Sequence, residues 1–213
     1  MDKDINNNGF DYVDLGLPSG TLWAAMNVGA SSPSDFGIYF QWGDTIGYTE
    51  EQLGFGEGKK KFIWGDYKWS INGSDSNFSK YKDRGIALDL EDDAAYVHMG
   101  GDWHMPTSIQ IKELLDNTTS IRTTLDDVNG VMLTSKKDKS KSIFIPSTGF
   151  AWYGSIFDMD GAVYNKEGDG NIWPSMTSMN HVNCGYYLGF DSGYAILSSG
   201  ERSVGMSVRG VIG

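Results

Sequence analysis

The stretch YVDLGLPSGTLW, residues 12–23, decides the fold. Val13, Leu15 and Leu17 alternate with Asp14 and Gly16, and that period of two sends the apolar side chains to one face of a strand. Pro18-Ser19-Gly20 supplies a turn, and Thr21-Leu22-Trp23-Ala24 returns as a second strand, so the segment reads as a hairpin. At the far end SVGMSVRGV, residues 203–211, is another short apolar strand. Arg209 inside it is expected to be partly buried, and an unpaired guanidinium there is costly, so it calls for a carboxylate or carbonyl partner, with Asp14 the candidate.

Working outward, residues 1–11 are polar and Asn-rich and read as a flexible lead-in to a single domain over 12–213. Residues 45–83 carry isolated aromatics among Gly- and Lys-rich turns, which predicts irregular loops anchored by rings. Leu88–Val97 predicts a short helix with Glu91, Asp92 and Asp93 in its first turn, favourable against the helix dipole. Ser108–Asn117 is the clearest helix, capped by Thr107 or Ser108, with Ile109, Ile111, Leu114 and Leu115 as its apolar stripe. Strands follow at 118–124 and 142–146, with Asn129-Gly130 a candidate type I′ turn. The last third is a run of short Gly-punctuated strands, giving an α+β domain with short helices early and antiparallel strands late.

Composition narrows the function. The 213 residues include 7 Trp, 11 Tyr and 10 Phe, so burial is driven largely by rings, and disorder is not expected. Glycine, at 28 residues, is about twice its usual ~7 % share and predicts many turns and bulges. A net charge of −11 argues against nucleic acid as a partner, because phosphate binding draws on clustered Lys and Arg. The one dense basic run, Lys136–Lys141, reads as a solvated hairpin tip. A single cysteine, Cys184, excludes an internal disulfide and a Cys-rich zinc site. No apolar run approaches the ~20 residues that span a bilayer, and no signal-peptide pattern opens the chain, so membrane insertion is not expected.

Candidate chemistry is thin. Cys184 and His181 form a conceivable nucleophile and base, but residues three apart on a strand face opposite ways. His98, His104, Asp92, Asp93 and Asp102 superficially resemble a metal cluster, while strand alternation sends Trp103 and Met105 inward and His104 away from them. Asp126-Asp127 and Asp158, Asp160 and Asp169 sit in Gly-rich contexts where Asp commonly serves the turn itself. Neither a catalytic set, a metal nor a cofactor is expected. After Trp173 the chain has no Lys and mixes Ser, Gly, Asn, Met and Tyr, a composition like that of a paratope, where rigid rings give area and small polar residues adapt. Alternation through Tyr186-Tyr187-Leu188-Gly189-Phe190 puts Leu188 and Phe190 in the core with Tyr186, and Tyr187 in solvent.

Several segments together carry a resemblance: VDLGLPSGTLWA at 13–24, GIYFQWGDT at 37–45, LEDDAAYVHMGGDWHMPT at 90–107, SIFIPSTGF at 142–150 and GMSVRGV at 205–211. In order and over nearly the whole chain, they resemble the Fibrobacter succinogenes major paralogous domain family. That family belongs to the C-type-lectin-like group that includes the formylglycine-generating-enzyme-like proteins. The resemblance implies a C-type-lectin-like α+β fold, short helices packed on twisted antiparallel sheets, with the two termini close together. In layout, residues 173–211 are also similar to the variable region of diversity-generating-retroelement target proteins of gut bacteria and their phages.

On that footing the chain is expected to be a non-catalytic recognition protein whose ligand-facing segment is about 173–203. The ligand-facing positions are Trp173, Met176, Ser178, Asn180, His181 and Asn183, followed by Tyr187, Asp191, Tyr194, Ile196, Ser198 and Glu201. The expected partner is a protein or glycan on a target surface, with the chain displayed on a cell surface or a phage virion as part of a larger protein. The alternatives are a formylglycine-generating-like enzyme module, whose chemistry needs a pair of cysteines, and a carbohydrate-binding adhesin domain.

Overall fold

Short strands, nearly all paired antiparallel, make up most of the regular secondary structure, and the computed structural model describes residues 4–153, 155–157, 171–172, 177–191 and 194–213. In chain order the first strands are β1 (Asp4–Asn7), β2 (Phe10–Val13), β3 (Leu22–Ala24) and β4 (Tyr39–Gln41). Helices α1 (Ala94–Met99) and α2 (Ser108–Asn117) follow, then β5 (Thr118–Leu125), β6 (Val128–Ser135) and β7 (Ser142–Pro146). Next come β8 (Phe150–Trp152), β9 (Ser155–Phe157), β10 (Asn171–Ile172) and β11 (Cys184–Asp191). The last are β12 (Tyr194–Glu201), β13 (Gly205–Ser207) and β14 (Val211–Ile212). The architecture is α+β and mostly β, as a 4-stranded sheet β1-β2-β3-β14, a 3-stranded sheet β5-β6-β7 and a 7-stranded sheet running β12-β11-β10-β13-β8-β9 with β4 on β13.

The hairpin at the start of the chain forms with Val13 opposite Trp23, but β2 ends at Val13. Leu15 and Leu17 are buried from the connecting loop instead, and Gly20 closes the turn onto the Leu17 carbonyl at 3.0 Å with φ of 80°. Val211 pairs with Trp23 and Ile212 with Leu22, so the closing strand lies beside the opening hairpin as expected. Residues 203–211 are not one strand, however. β13 belongs to the large sheet and β14 to the small one, and Val208-Arg209-Gly210 carries the chain between them.

Other expectations need correction. Residues 4–7 are strand β1 rather than a loose lead-in, joined to β2 through Asn8-Gly9 with φ of 53° and 88°. Positive φ at both central residues is the signature of a type I′ turn. The Asn129-Gly130 pair lies inside β6, and the turn falls at Asp126-Asp127, with φ of 50° and 62° and Leu125 opposite Val128. Gly130 serves packing: a Cβ there would come within 2.4 Å of the Phe144 ring and of the Ile145 carbonyl. Glu91 and Asp92 sit in a 3₁₀ turn ahead of α1, and Asp93 caps that helix by accepting from Tyr96 N at 2.9 Å.

Helix α2 runs from Ser108 to Asn117 with a reciprocal capping box between Thr107 and Gln110. Ile111 and Leu114 are buried, but Ile109 is 75 % exposed. Positions two apart on a helix are separated by about 200° of turn, so Ile109 cannot share the face of Ile111.

Two apolar clusters flank strand β11 of the large sheet. On one side Ile172, Leu188 and Phe190 pack with α2 residues Ile111 and Leu114 and with Val131, Leu133, Ile143 and Ile145 of the 3-stranded sheet. On the other side Tyr187 joins Trp42, Trp103, Val204, Met206 and Val208. Each such side chain, fully buried, contributes about 1.5–3 kcal/mol. The β11–β12 hairpin is therefore clamped from behind while its other face leads into the second cluster. Among the described residues no helix is long and apolar enough to cross a membrane.

Candidate functional site

In the β11–β12 ladder Tyr187 stands opposite Ser198, Gly189 opposite Ile196 and Gly185 opposite Gly200. Directly opposed residues and residues two apart share a face, so Tyr187, Ile196, Ser198 and Gly200 line one surface. Ile196 is 39 % exposed, and toward Gly200 the surface sinks into a cavity of about 330 Å³. Its walls come from three further places in the chain: Phe150 and Trp152 of β8, Val204, and Met206 of β13. Glu201, exposed, stands among the lining residues. Trp152 is 41 % exposed and meets the Tyr153 ring edge-on at 4.7 Å. Gly200 keeps space open here, because a Cβ on it would lie 3.2 Å from the Tyr187 ring and 3.4 Å from the Met206 methyl.

Alternation correctly separates Tyr187 from Leu188 and Phe190, but Tyr187 is buried rather than exposed, because a second apolar cluster lies where solvent was expected. Ser178 is fully buried too, and its role is local. Its N–H donates to the Cys184 carbonyl at 2.8 Å and its hydroxyl accepts from Asn180 N at 3.1 Å. Asn180 and His181 are exposed on the turn before β11, and Asn183 is half-buried. That turn is strapped to residues 83–86: Thr177 accepts from Ile86 N at 2.8 Å and Arg84 donates to the Asn180 carbonyl at 3.4 Å. Ser198 is half-buried, and Asp191 and Tyr194 pair at the hairpin tip. Trp173 and Met176 lie outside the described residues, as do Asp158, Asp160 and Asp169.

Phe150, Trp152, Val204 and Met206 were not among the expected site residues. Phe150-Ala151-Trp152 was legible as a strand, yet nothing in one sequence sets it against β11.

Among the described residues, several of the candidate reactive groups hold structural hydrogen bonds. Burial first, and then the Glu201 carboxylate, push the Cys184 thiol above its usual range, the direction opposite to activation. Its backbone N–H donates to the His181 carbonyl at 3.2 Å, and its thiol faces Asn183 Oδ1 at 3.6 Å. His98 Nε2 bonds the Thr45 carbonyl at 2.9 Å, whereas His104 bonds the Met105 carbonyl at 2.9 Å and the Gly213 carbonyl at 3.2 Å. They do not converge with Asp93, which caps α1 and accepts from Met105 N at 2.8 Å. Asp14 is not the partner of Arg209; it accepts from Gly16 N at 2.8 Å in its own turn.

One trio of carboxylates, Asp89, Glu91 and Asp92, does come together among the described residues. Lys80 occupies its centre, with its ammonium 2.6 Å from Asp89, 2.6 Å from Asp92 and 3.3 Å from Glu91. Lys68 adds a bond to Asp92 at 2.7 Å, and the Tyr81 hydroxyl adds another at 2.7 Å. The positive charge that the trio calls for is thus a side chain. Burial alone would raise the Asp92 carboxyl, but these three donors outweigh it and hold it below the ordinary carboxylate range. Its stabilising contribution is full above that range and is lost as pH falls through the depressed value. Asp93, raised by burial, works in the opposite sense.

Asp92→Asn is expected to cost about 1–3 kcal/mol at neutral pH, discounted because both lysines are partly exposed, and to flatten the acid limb of the stability profile. Urea unfolding across pH checks this; an unchanged neutral-pH midpoint would remove Asp92 from the account.

Comparison of the chain with known proteins finds no matching family model, no matching curated protein and no matching solved structure.

Proposed function

We infer that the chain is a non-catalytic recognition domain on a C-type-lectin-like scaffold, displaying a ligand-facing surface around the β11–β12 hairpin. The observation that carries this reading is the apolar cavity walled by Phe150, Trp152, Tyr187, Val204 and Met206, which opens beside Ile196 and Ser198 on a hairpin clamped from behind. A preformed apolar pocket on a rigid sheet is what ligand recognition uses. The pairing of β14 with β3 is in keeping with the lectin-like scaffold that the sequence resembles. Chemistry favours holding over transforming: the one cysteine has a raised thiol, and a formylglycine-generating-like reaction calls for two.

The partner in this reading is a protein or glycan on a target surface, met by a chain displayed on a cell or a virion. The experiment is to screen the immobilised chain against a glycan array and whole bacterial cells, then to repeat each hit with Trp152→Ala. Because a buried aromatic anchor commonly carries 2 kcal/mol or more of binding, loss of about 30-fold in affinity is expected. Hits that keep full affinity with Trp152→Ala, or a ligand that comes back chemically changed, would overturn the reading. Retroelement diversification is tested separately: sister sequences should vary at Asn180, His181 and Tyr194 far more than at Leu22 or Ile145.

A further inference from the structure

We propose that Asn72-Gly73 is a covalent modification site at which the folded chain deamidates spontaneously, the Asn72 side chain closing on the Gly73 nitrogen and ending as an aspartyl or isoaspartyl residue. The assignment is independent of the recognition reading above. The sequence holds three Asn-Gly pairs, at 8–9, 72–73 and 129–130, and a following glycine leaves the attacking nitrogen unshielded by a side chain. The fold separates the three.

Asn72 and Gly73 are the central residues of a turn in which Ser74 N donates to the Ile71 carbonyl at 3.2 Å, with φ of 55° and 73°. The hydrogen bond of such a turn joins its outer residues, so the peptide between Asn72 and Gly73 can rotate without breaking it. Both residues are exposed, and among the described residues neither makes a hydrogen bond. The base beneath them is held: Ser70 pairs with Phe78, Ile71 N donates to the Asn77 carbonyl at 2.9 Å, and the Ser70 hydroxyl donates to the Ser74 carbonyl at 2.8 Å. An unbonded tip on a bonded base can rearrange without unfolding the chain. Asn8-Gly9 has the same signs of φ, but Asn8 Nδ2 donates to the Met99 carbonyl and lies against Gly100, where a Cβ would come within 2.8 Å of it. The Asn8 amide must leave that bond to turn onto the Gly9 nitrogen. Asn129-Gly130 lies inside β6, with Gly130 opposite Thr123 and Pro146 and the Asn129 carbonyl accepting from Ser147 N at 2.8 Å. Its peptide cannot rotate without opening the sheet.

The reaction needs only water. The Gly73 nitrogen gives its proton to hydroxide and attacks Asn72 Cγ; the N–Cγ bond forms, the Cγ–Nδ2 bond breaks, and Nδ2 leaves as ammonia with a proton taken from solvent. Water then opens the succinimide ring. Cleavage at Cγ leaves an aspartyl residue in the original backbone, whereas cleavage at the Asn72 main-chain carbonyl leaves an isoaspartyl link running through Cγ. Nothing is oxidised or reduced.

The test is incubation of the full chain at mildly alkaline pH, folded and in urea, with peptide mass mapping and isoaspartyl quantification over time. In the folded chain Asn72 is expected to react about ten-fold or more faster than Asn8, the rate equivalent of one hydrogen bond to be broken, with Asn129 slower again. In urea the three pairs should react at similar rates, because each asparagine is followed by glycine. Asn72→Asp makes the aspartyl product directly and should leave the thermal midpoint unchanged, as for other exposed positions without partners. Equal rates at the three pairs in the folded chain, or a lead by Asn8 or Asn129, would overturn the assignment. A clearly lowered midpoint for Asn72→Asp would also count against it, by showing that the tip is bound into the fold.

Discussion

Arg209→Ala is expected to lose about 3–5 kcal/mol of stability, the cost of stripping a buried, hydrogen-bonded cation from its partners and leaving a void. Arg209 is fully buried at the point where the chain passes from the large sheet into the small one. Its Nε donates to Asn27 Oδ1 at 2.9 Å, and its Nη1 donates to the Phe144 carbonyl at 2.9 Å and the Ala25 carbonyl at 3.4 Å. One side chain thereby joins the loop after β3, strand β7 and the sheet crossing. No carboxylate is among these partners, and burial draws the guanidinium well below its ordinary range. Arg209→Met keeps most of the volume and removes the buried charge, so it should lose clearly less than the alanine variant. Urea unfolding with an unchanged m-value measures both, and an alanine variant within about 1 kcal/mol of wild type would refute the pinning role.

The second large effect is at Arg202, where Arg202→Ala should cost about 2–4 kcal/mol while Arg202→Met stays within about 1 kcal/mol of wild type. This guanidinium is also fully buried, and its carbon lies 3.9, 5.3 and 5.7 Å from the ring centres of Phe78, Trp42 and Tyr67. Its Nε and Nη2 have no hydrogen-bond partner, so ring contact and volume carry most of its contribution. The residue ties the corner between β12 and β13 to the irregular segment around Trp64–Tyr81, where Trp64, Tyr67 and Phe78 already pack on one another. Thermal unfolding followed by near-ultraviolet dichroism reads the loss. A methionine variant as weak as the alanine one would show that the charge, and not the packing, holds the corner.

Local chemistry was what the sequence made legible. Helix α2 spans Ser108–Asn117 with Thr107 as its cap, one of the two caps its sequence offers, because a cap and an apolar stripe act over a few residues. Turns were harder. Of three Asn-Gly pairs, Asn8-Gly9 and Asn72-Gly73 take positive φ at both residues and Asn129-Gly130 does not, since Gly130 lies inside β6 and is kept bare by the Phe144 ring from a neighbouring strand. That is a long-range cause that local propensity cannot register. The site was half visible for the same reason. Alternation placed Tyr187 on the correct side of β11, but what covers that side is Met206, Val204 and Trp42, brought there by the path of the sheet. Of the carboxylate or carbonyl expected for Arg209, only the carbonyl is found, and Asn27 and Phe144 became its neighbours only through tertiary structure.

The bare Cα of Gly200 bears on how freely this hairpin can evolve. Ile196 and Ser198 look out along the same side, where a library of replacements meets open water or the cavity mouth. At position 200 even a methyl group presses on the Tyr187 ring, and anything longer plugs the hollow. A lineage or an engineer reshuffling these residues would therefore leave the hollow standing at 196 and 198, and press into it by varying 200.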